Sequence, residues 1–297
     1  MTKTRATAIG FTAILMWALL ALFTVGASDV PPLQLNAICF AIGGLIGIVW
    51  IARTDGFAVL RHIPLSVYAF GTAALFGYHL LYFWALRLAP AAEASLIAYL
   101  WPLFIVVFSG LLPGERLTGQ HVLGALTAFA GAALIVTGGG IGPSAASLPG
   151  YGLAFLCALT WSGYSLISRR LGSVPTAAVA VYCLATAALS GVAHMALEQT
   201  VWPADAMGWG AVLALGLGPV GLAFYTWDVG VKRGDIQLLG TASYAAPLLS
   251  TLALVLAGVT AASLKLGLAA ALITAGALLA ARASRSGQGV RQSRTAG

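Results

Sequence analysis

Few residues in this chain could do chemistry, and most of them are aromatic. Residues 75–102 hold Tyr78, His79, Tyr82, Trp84, Tyr99 and Trp101 within two apolar segments joined by a tight turn at 87–93. Aromatic faces stack on other rings and attract an ammonium group, while phenol and imidazole add hydrogen bonds. Leu75, Tyr78, His79, Tyr82 and Leu86 recur at spacings of three and four, which puts them on one helical face. His79 could hydrogen-bond a carboxylate or amine, carry a proton, or serve as a neutral imidazole satisfied by a backbone carbonyl. Ser95, Tyr99 and Pro102 share the next face. Gly240, Tyr244 and Pro247 repeat the pattern, and each proline, having no N–H, leaves the carbonyl four residues earlier, at Ala98 or Ser243, without its donor. Such a bend offers acceptors beside a hydroxyl, or it is a plain packing kink.

Trp17 and Trp161 fall about midway along apolar runs, although tryptophan prefers a membrane interface, so they suggest a cavity wall as well as packing. Gly216, Gly218, Pro219 and Gly221 make a breakable stretch, followed by Phe224, Trp227 and Asp228. Asp228 pairs at i,i+4 with Lys232, or acts as a gate or cation-attracting residue. Glu93, Glu115 and Arg116 stand at helix ends, where Glu115 is expected in a solvated or capping contact. His62, His121 and His194 lie near span ends. Cys39, Cys157 and Cys183 sit in apolar runs without metal-ligand spacing and are expected to pack as small hydrophobes. Nothing resembles a Walker A loop, an HExxH pair or a GxSxG elbow, so the sequence supports neither enzyme activity nor a metal or cofactor.

The elements that position these residues follow from composition. Of 297 residues 60% are hydrophobic and 8% charged, with a mean hydropathy of +0.95. Soluble domains carry about 25% charged residues, so these charges cannot cover a soluble surface. Spanning runs of about 20 apolar residues occur at about 6–27, 32–52, 66–88, 92–112, 120–138, 150–169, 175–197, 208–231, 236–257 and 263–282. The first resembles a signal peptide, with Lys3 and Arg5 ahead of it and Val25-Gly26-Ala27 behind. It exceeds the usual 7–15 apolar residues and has a later counterpart, so it is kept as a span. Lys and Arg fall on alternate loops, which predicts both termini in the cytoplasm and leaves only Arg87 and Lys265 outside. The net charge of +7 therefore reflects topology, and no nucleic-acid partner is expected.

An internal repeat organises the ten spans. Trp17 corresponds to Trp161 at an offset of 144, and Tyr99-x-x-Pro102 to Tyr244-x-x-Pro247 at 145. Five spans is an odd number, so the second half must be inverted, as in secondary transporters with a site between the halves. The expected fold is an all-α membrane protein of ten transmembrane helices, two inverted five-helix repeats around a central cavity. The expected boundaries are 1–140, a linker at 141–149, 150–283, and a basic disordered tail at 284–297.

Residues 94–118, ASLIAYLWPLFIVVFSGLLPGERLT, followed by Gly124 and Gly131, resemble the two-repeat EamA type of the drug/metabolite transporter superfamily. Gly114-Glu115-Arg116-Leu117-Thr118 matches the signature, whereas 258–263 lacks the Glu-Arg pair. The aromatic content and Tyr-Leu-Trp-Pro at 99–102 look most like the bacterial aromatic amino acid exporters, which also pass the dication paraquat. The resemblance implies a monomeric inner-membrane exporter of aromatic zwitterions working by alternating access, with export of lipophilic or quaternary cations or other small metabolites as the alternative. The expected substrate contacts are Trp17, Tyr78, His79, Tyr82, Tyr99, Trp101, Trp161, Tyr164, Phe224, Trp227 and Tyr244. The expected hinges and gates are Pro102, Pro247, Gly218, Pro219 and Asp228.

Overall fold

A computed structural model describes residues 1–54, 56–137, 144–256, 258 and 263–295. The first half consists of α1 (Lys3–Ala18), α2 (Leu20–Gly26), α3 (Pro32–Arg53), α4 (Leu65–Leu88), α5 (Ala91–Ala98), α6 (Trp101–Ser109) and α7 (Gly119–Thr137). The second consists of α8 (Leu148–Arg170), α9 (Ala178–Leu197), α10 (Ala206–Leu217), α11 (Ala223–Arg233), α12 (Ile236–Ala242), α13 (Ala245–Leu256) and α14 (Leu264–Thr295). Among the described residues nine helical stretches are long and apolar enough to cross a membrane. The expected span at 236–257 is divided between α12 and α13. The fold is thus the all-helical, two-repeat membrane architecture.

Breaks within spans follow the backbone chemistry. α5 ends at Ala98 and α6 begins at Trp101, with Pro102 in its first turn, where a missing N–H costs nothing. The same interruption separates α12 from α13 ahead of Pro247. Between α10 and α11 the chain makes a π turn, Gly218–Leu222. A break at Leu19, between α1 and α2, has no proline or glycine to announce it. The expected linker falls partly at 141–143, outside the described residues, and the second signature stretch likewise at 259–262. The backbone of α14 continues across the expected boundary at 283 to Thr295, since extending an existing helix is far easier than nucleating one.

The helix ends reproduce the repeat. Arg53 and Leu197 end α3 and α9 at an offset of 144, whereas Leu88 and Arg233 end α4 and α11 at 145. The step of one residue lies in the segment that holds the π turn, and a π turn contains one residue more than an α turn. Helix neighbours obey the same exchange. α1 packs on α11 as α8 packs on α4, α3 packs on α10 as α9 packs on α4, and α3·α9 and α7·α14 pair with their own equivalents.

Close packing depends on small residues, as expected where lipid gives helices no hydrophobic drive to associate. A Cβ on Gly43 would lie 2.8 Å from the Gly221 Cα, and one on Gly10 would lie 2.8 Å from the Gly230 Cα. These contacts hold α3 and α1 against the two sides of the π turn and α11.

The end of the bundle that bears both termini is knitted shut by polar contacts. Lys3 Nζ lies 2.9 Å from Asp235, and the Asp235 amide donates to the Thr7 hydroxyl at 2.8 Å. Arg169 donates to the Val231 and Gly234 carbonyls at 2.8 and 2.9 Å and pairs with Glu115. The signature glutamate is therefore an inter-repeat ion-pair partner rather than a solvated cap. Gln237 donates to Ser109 Oγ at 3.1 Å and to the Arg116 carbonyl at 3.2 Å.

Candidate functional site

A cavity of about 490 Å³ lies between the two halves. Its walls come from α1–α6, α8 and the chain around the π turn. It extends to Ala27, Ser28 and Val30, in the loop at the end of the bundle opposite the termini. Eight of the eleven expected contacts line it: Trp17, Tyr78, His79, Tyr82, Tyr99, Trp101, Trp161 and Phe224. Pro219 joins them, as part of the π turn.

The floor is a cluster of rings. The Trp17 ring centre lies 5.1 Å from Trp227, 5.7 Å from Trp161, 6.2 Å from Trp101 and 6.4 Å from Phe224. Edge-to-face and tilted pairs at these distances contribute roughly 0.5–1.5 kcal/mol each beyond burial. The Trp17 indole N–H donates to the Pro219 carbonyl at 3.0 Å, so one cavity residue reads the broken backbone directly.

The wall along α4 behaves as its spacing implies. Tyr78 and Tyr82 stack with centres 6.3 Å apart and planes 11° apart. The Tyr82 hydroxyl lies 2.9 Å from Ser95 Oγ. His79 Nδ1 lies 2.8 Å from the Leu75 carbonyl. A carbonyl only accepts, so Nδ1 carries the hydrogen and neutral His79 keeps Nε2 as an acceptor. The backbone contact foreseen as the purely structural alternative thus coexists with a cavity-lining position.

Tyr164, Trp227 and Tyr244 do not line the cavity, contrary to expectation. All three are at most 1% exposed. A shared helical face does not reveal which neighbour that face meets, and here each ring packs behind the wall. Trp227 donates to Ser165 Oγ at 3.1 Å. The Tyr244 hydroxyl accepts from the Leu103 amide at 3.1 Å, one of the donors left unpaired where α5 gives way to α6. Pro102, Pro247 and Gly218 stand at helix breaks without lining the cavity, and Asp228 lies one turn beyond Phe224.

Asp228 is 1% exposed, with carboxylate oxygens 2.8 and 2.9 Å from Lys232 Nζ and 2.7 Å from the Thr176 hydroxyl. The i,i+4 pair read from the sequence is present and is buried. Lys232 also donates to the Val174 carbonyl at 2.9 Å.

Several lining residues had not been singled out. Asn36 is buried, donates to Ser190 Oγ at 2.8 Å and lines the cavity. An amide inside an apolar run was the available signal. Phe83 looks like an ordinary span residue and gave none, whereas Leu86 lies on the face already read with Tyr78, His79 and Tyr82, and Cys39, expected to pack as a small hydrophobe, also lines the cavity. The described lining contains no Lys, Arg, Asp or Glu.

The profile of the EamA-like transporter family matches residues 4–137 and 148–282. The chain is 54% identical over 288 residues to the aromatic amino acid exporter YddG of Ancylobacter novellus, spanning 96% of this chain and 100% of that one. It is 26% identical to the protein of the same name in Escherichia coli, over 84% and 88% of the two chains. It is 31% identical to the pseudopaline exporter CntI of Pseudomonas aeruginosa, over 66% and 68%. A crystal structure of a protein 54% identical superposes with a TM-score of 0.90, covering 94% of this chain and 98% of that one.

Proposed function

As this chain belongs to the EamA-like transporter family, we propose that it exports aromatic amino acids as zwitterions across the bacterial inner membrane by alternating access, as a monomer. The observation that carries this proposal is the uncharged, ring-walled cavity between the repeats. Its volume of about 490 Å³ suits a single small molecule, since such sites run to roughly 300–1,000 Å³. Tyr78, Tyr82, Trp101 and Trp161 supply faces for an aromatic side chain, and aromatic faces attract an ammonium at roughly 0.5–2 kcal/mol each. His79 lines the same space, and its Nε2 acceptor suits an ammonium or indole N–H. A site without a fixed ion favours a substrate of zero net charge and holds it weakly, as suits overflow.

Lys and Arg on alternate loops support cytoplasmic termini, and on that reading the cavity as described opens outward. Pro102, Pro247 and the π turn at Gly218–Leu222 supply the bends about which the walls move. Relatives exporting an aromatic amino acid and pseudopaline support export of amino-acid-like solutes. The rings also suit organic cations, but the lining offers them no carboxylate. The experiment is flux into and out of proteoliposomes with a panel of phenylalanine, tryptophan, alanine and paraquat. Phenylalanine and tryptophan should cross well above empty liposomes. Paraquat crossing while they do not would replace this substrate class, and no solute crossing would remove it.

A further inference from the structure

The three expected rings that miss the cavity share one property. At the offsets set by the helix ends, Tyr164, Trp227 and Tyr244 are the repeat equivalents of Leu20, Tyr82 and Tyr99, all of which line it. The correspondence also pairs Thr24 with Ser168, Cys39 with Cys183, Phe83 with Asp228 and Arg87 with Lys232. In an inverted repeat the halves exchange roles as the transporter turns over. Residues equivalent to the present walls therefore form the walls of the opposite opening.

We propose that a second substrate site, on the side of the termini and closed in this structure, is walled by Tyr164, Ser168, Trp227 and Tyr244. There Asp228 takes the ammonium group of an amino acid in exchange for Lys232. The proposal rests on the amino-acid transport described above and adds to it a charged capture site at the entrance.

Three observations carry it besides the equivalence. Asp228 lies on the face of α11 one turn beyond Phe224, which forms the present floor, so it is the next carboxylate that an opening from the terminal side would reach. Its ion pair is withdrawn from solvent at both ends, with side chains 1% and 4% exposed. A buried pair of this kind is a weak source of stability, whereas an ionisable group within a span marks a solute path. Finally, the Tyr244 hydroxyl caps the Leu103 amide in this state while Tyr99 faces the cavity. Exchange of roles turns Tyr99 toward the equivalent Leu248 amide and frees the Tyr244 hydroxyl for the new opening.

The two openings are then chemically unequal. Where the outward cavity has Phe83, the terminal-side site has Asp228, so a substrate is gripped by charge on entry and by rings alone on release.

The test compares two inhibitors of phenylalanine flux that share a phenyl ring and a similar length: phenethylamine, which is cationic, and 3-phenylpropan-1-ol, which is uncharged. In inside-out membrane vesicles phenethylamine should inhibit at least about tenfold better, the ratio expected for one charge-assisted contact. In right-side-out vesicles, where rings and the His79 acceptor meet the ammonium without a carboxylate, the preference should be clearly smaller. Asp228→Asn combined with Lys232→Met leaves no unpaired buried charge and should abolish the preference, while Asp228→Glu should keep it. A preference unchanged in the double variant, or equal on both faces, overturns the proposal while transport itself stands. Absence of wild-type phenylalanine flux from both faces overturns the transport function and this site with it. A second measurement does not depend on a variant at 228. With Cys39 and Cys157 changed to serine, Cys183 should react with a small maleimide only from the terminal side and be protected by phenylalanine; an inert Cys183 overturns the shared wall.

Discussion

Tyr244→Phe removes a single oxygen, and its effect can be worked from the structure. The Tyr244 hydroxyl accepts from the Leu103 amide at 3.1 Å, and the tyrosine is 0% exposed, so no water can take its place without rearrangement. The loss leaves a buried N–H unpaired at the start of α6. Orphaning such a group costs about 1–3 kcal/mol, equivalent to roughly a 5- to 150-fold change in an equilibrium constant. The repeat-equivalent change, Tyr99→Phe, removes the hydroxyl of a cavity-lining residue, where water can replace its contacts. The pair of variants therefore separates the capping role from the general loss of a phenol. Unfolding in mixed micelles with increasing SDS should show Tyr244→Phe destabilised by about 1–3 kcal/mol and Tyr99→Phe by about a third of that or less. Equal shifts in the two variants would refute the reasoning, because the hydroxyl would then not be satisfying the break in α5 and α6.

Two further outcomes follow from the same structure. Gly43→Ala brings a methyl 2.8 Å from the Gly221 Cα; because backbone cannot yield as a side chain does, the variant should lose about 1–3 kcal/mol in the same SDS titration. Burial alone would raise the Asp235 carboxyl, but bonds from the Leu238 amide and the Lys3 ammonium outweigh it and hold it below the ordinary carboxylate value. A depressed folded value contributes stability above the unfolded pKa of about 3.9 and loses it as pH falls through the folded one. The stability gap between wild type and Asp235→Asn should therefore be constant from about pH 7 to 5 and close below about pH 4. A gap that persists to pH 2 would contradict it.

The spans were legible because hydrocarbon thickness and the scarcity of charge leave little freedom in where they lie. The repeat was legible because Trp17 and Trp161, and Tyr99 and Tyr244, kept their types. The one-residue change in offset was visible as a number, but its place, in the segment of the π turn at Gly218–Leu222, needed coordinates. The bends before Pro102 and Pro247 could be read from the missing N–H. The break at Leu19 could not, since it depends on no special residue and sits beside Trp17, which is bonded to a carbonyl 202 positions away. The same limit explains Tyr164, Trp227 and Tyr244. Helical periodicity showed that their faces were aromatic, whereas the neighbouring helices decide which faces meet the open space. Glu115 looked like a helix-end residue because its partner, Arg169, belongs to the other repeat.

The uncharged lining has a consequence for energetics. A membrane potential does work only on net charge, about 2.3 kcal/mol per unit charge per 100 mV. A zwitterion in the described cavity, whose lining holds no Lys, Arg, Asp or Glu, presents none, and the Asp228–Lys232 pair of the proposed terminal-side site is neutral as a whole. The proposed export of phenylalanine would then be electrically silent, and an inside-negative cell would neither drive nor oppose it. A monocation leaving by the same route would climb that potential, and a dication would climb twice as far. The voltage across the membrane thus acts as a second selectivity filter, one that the protein need not build.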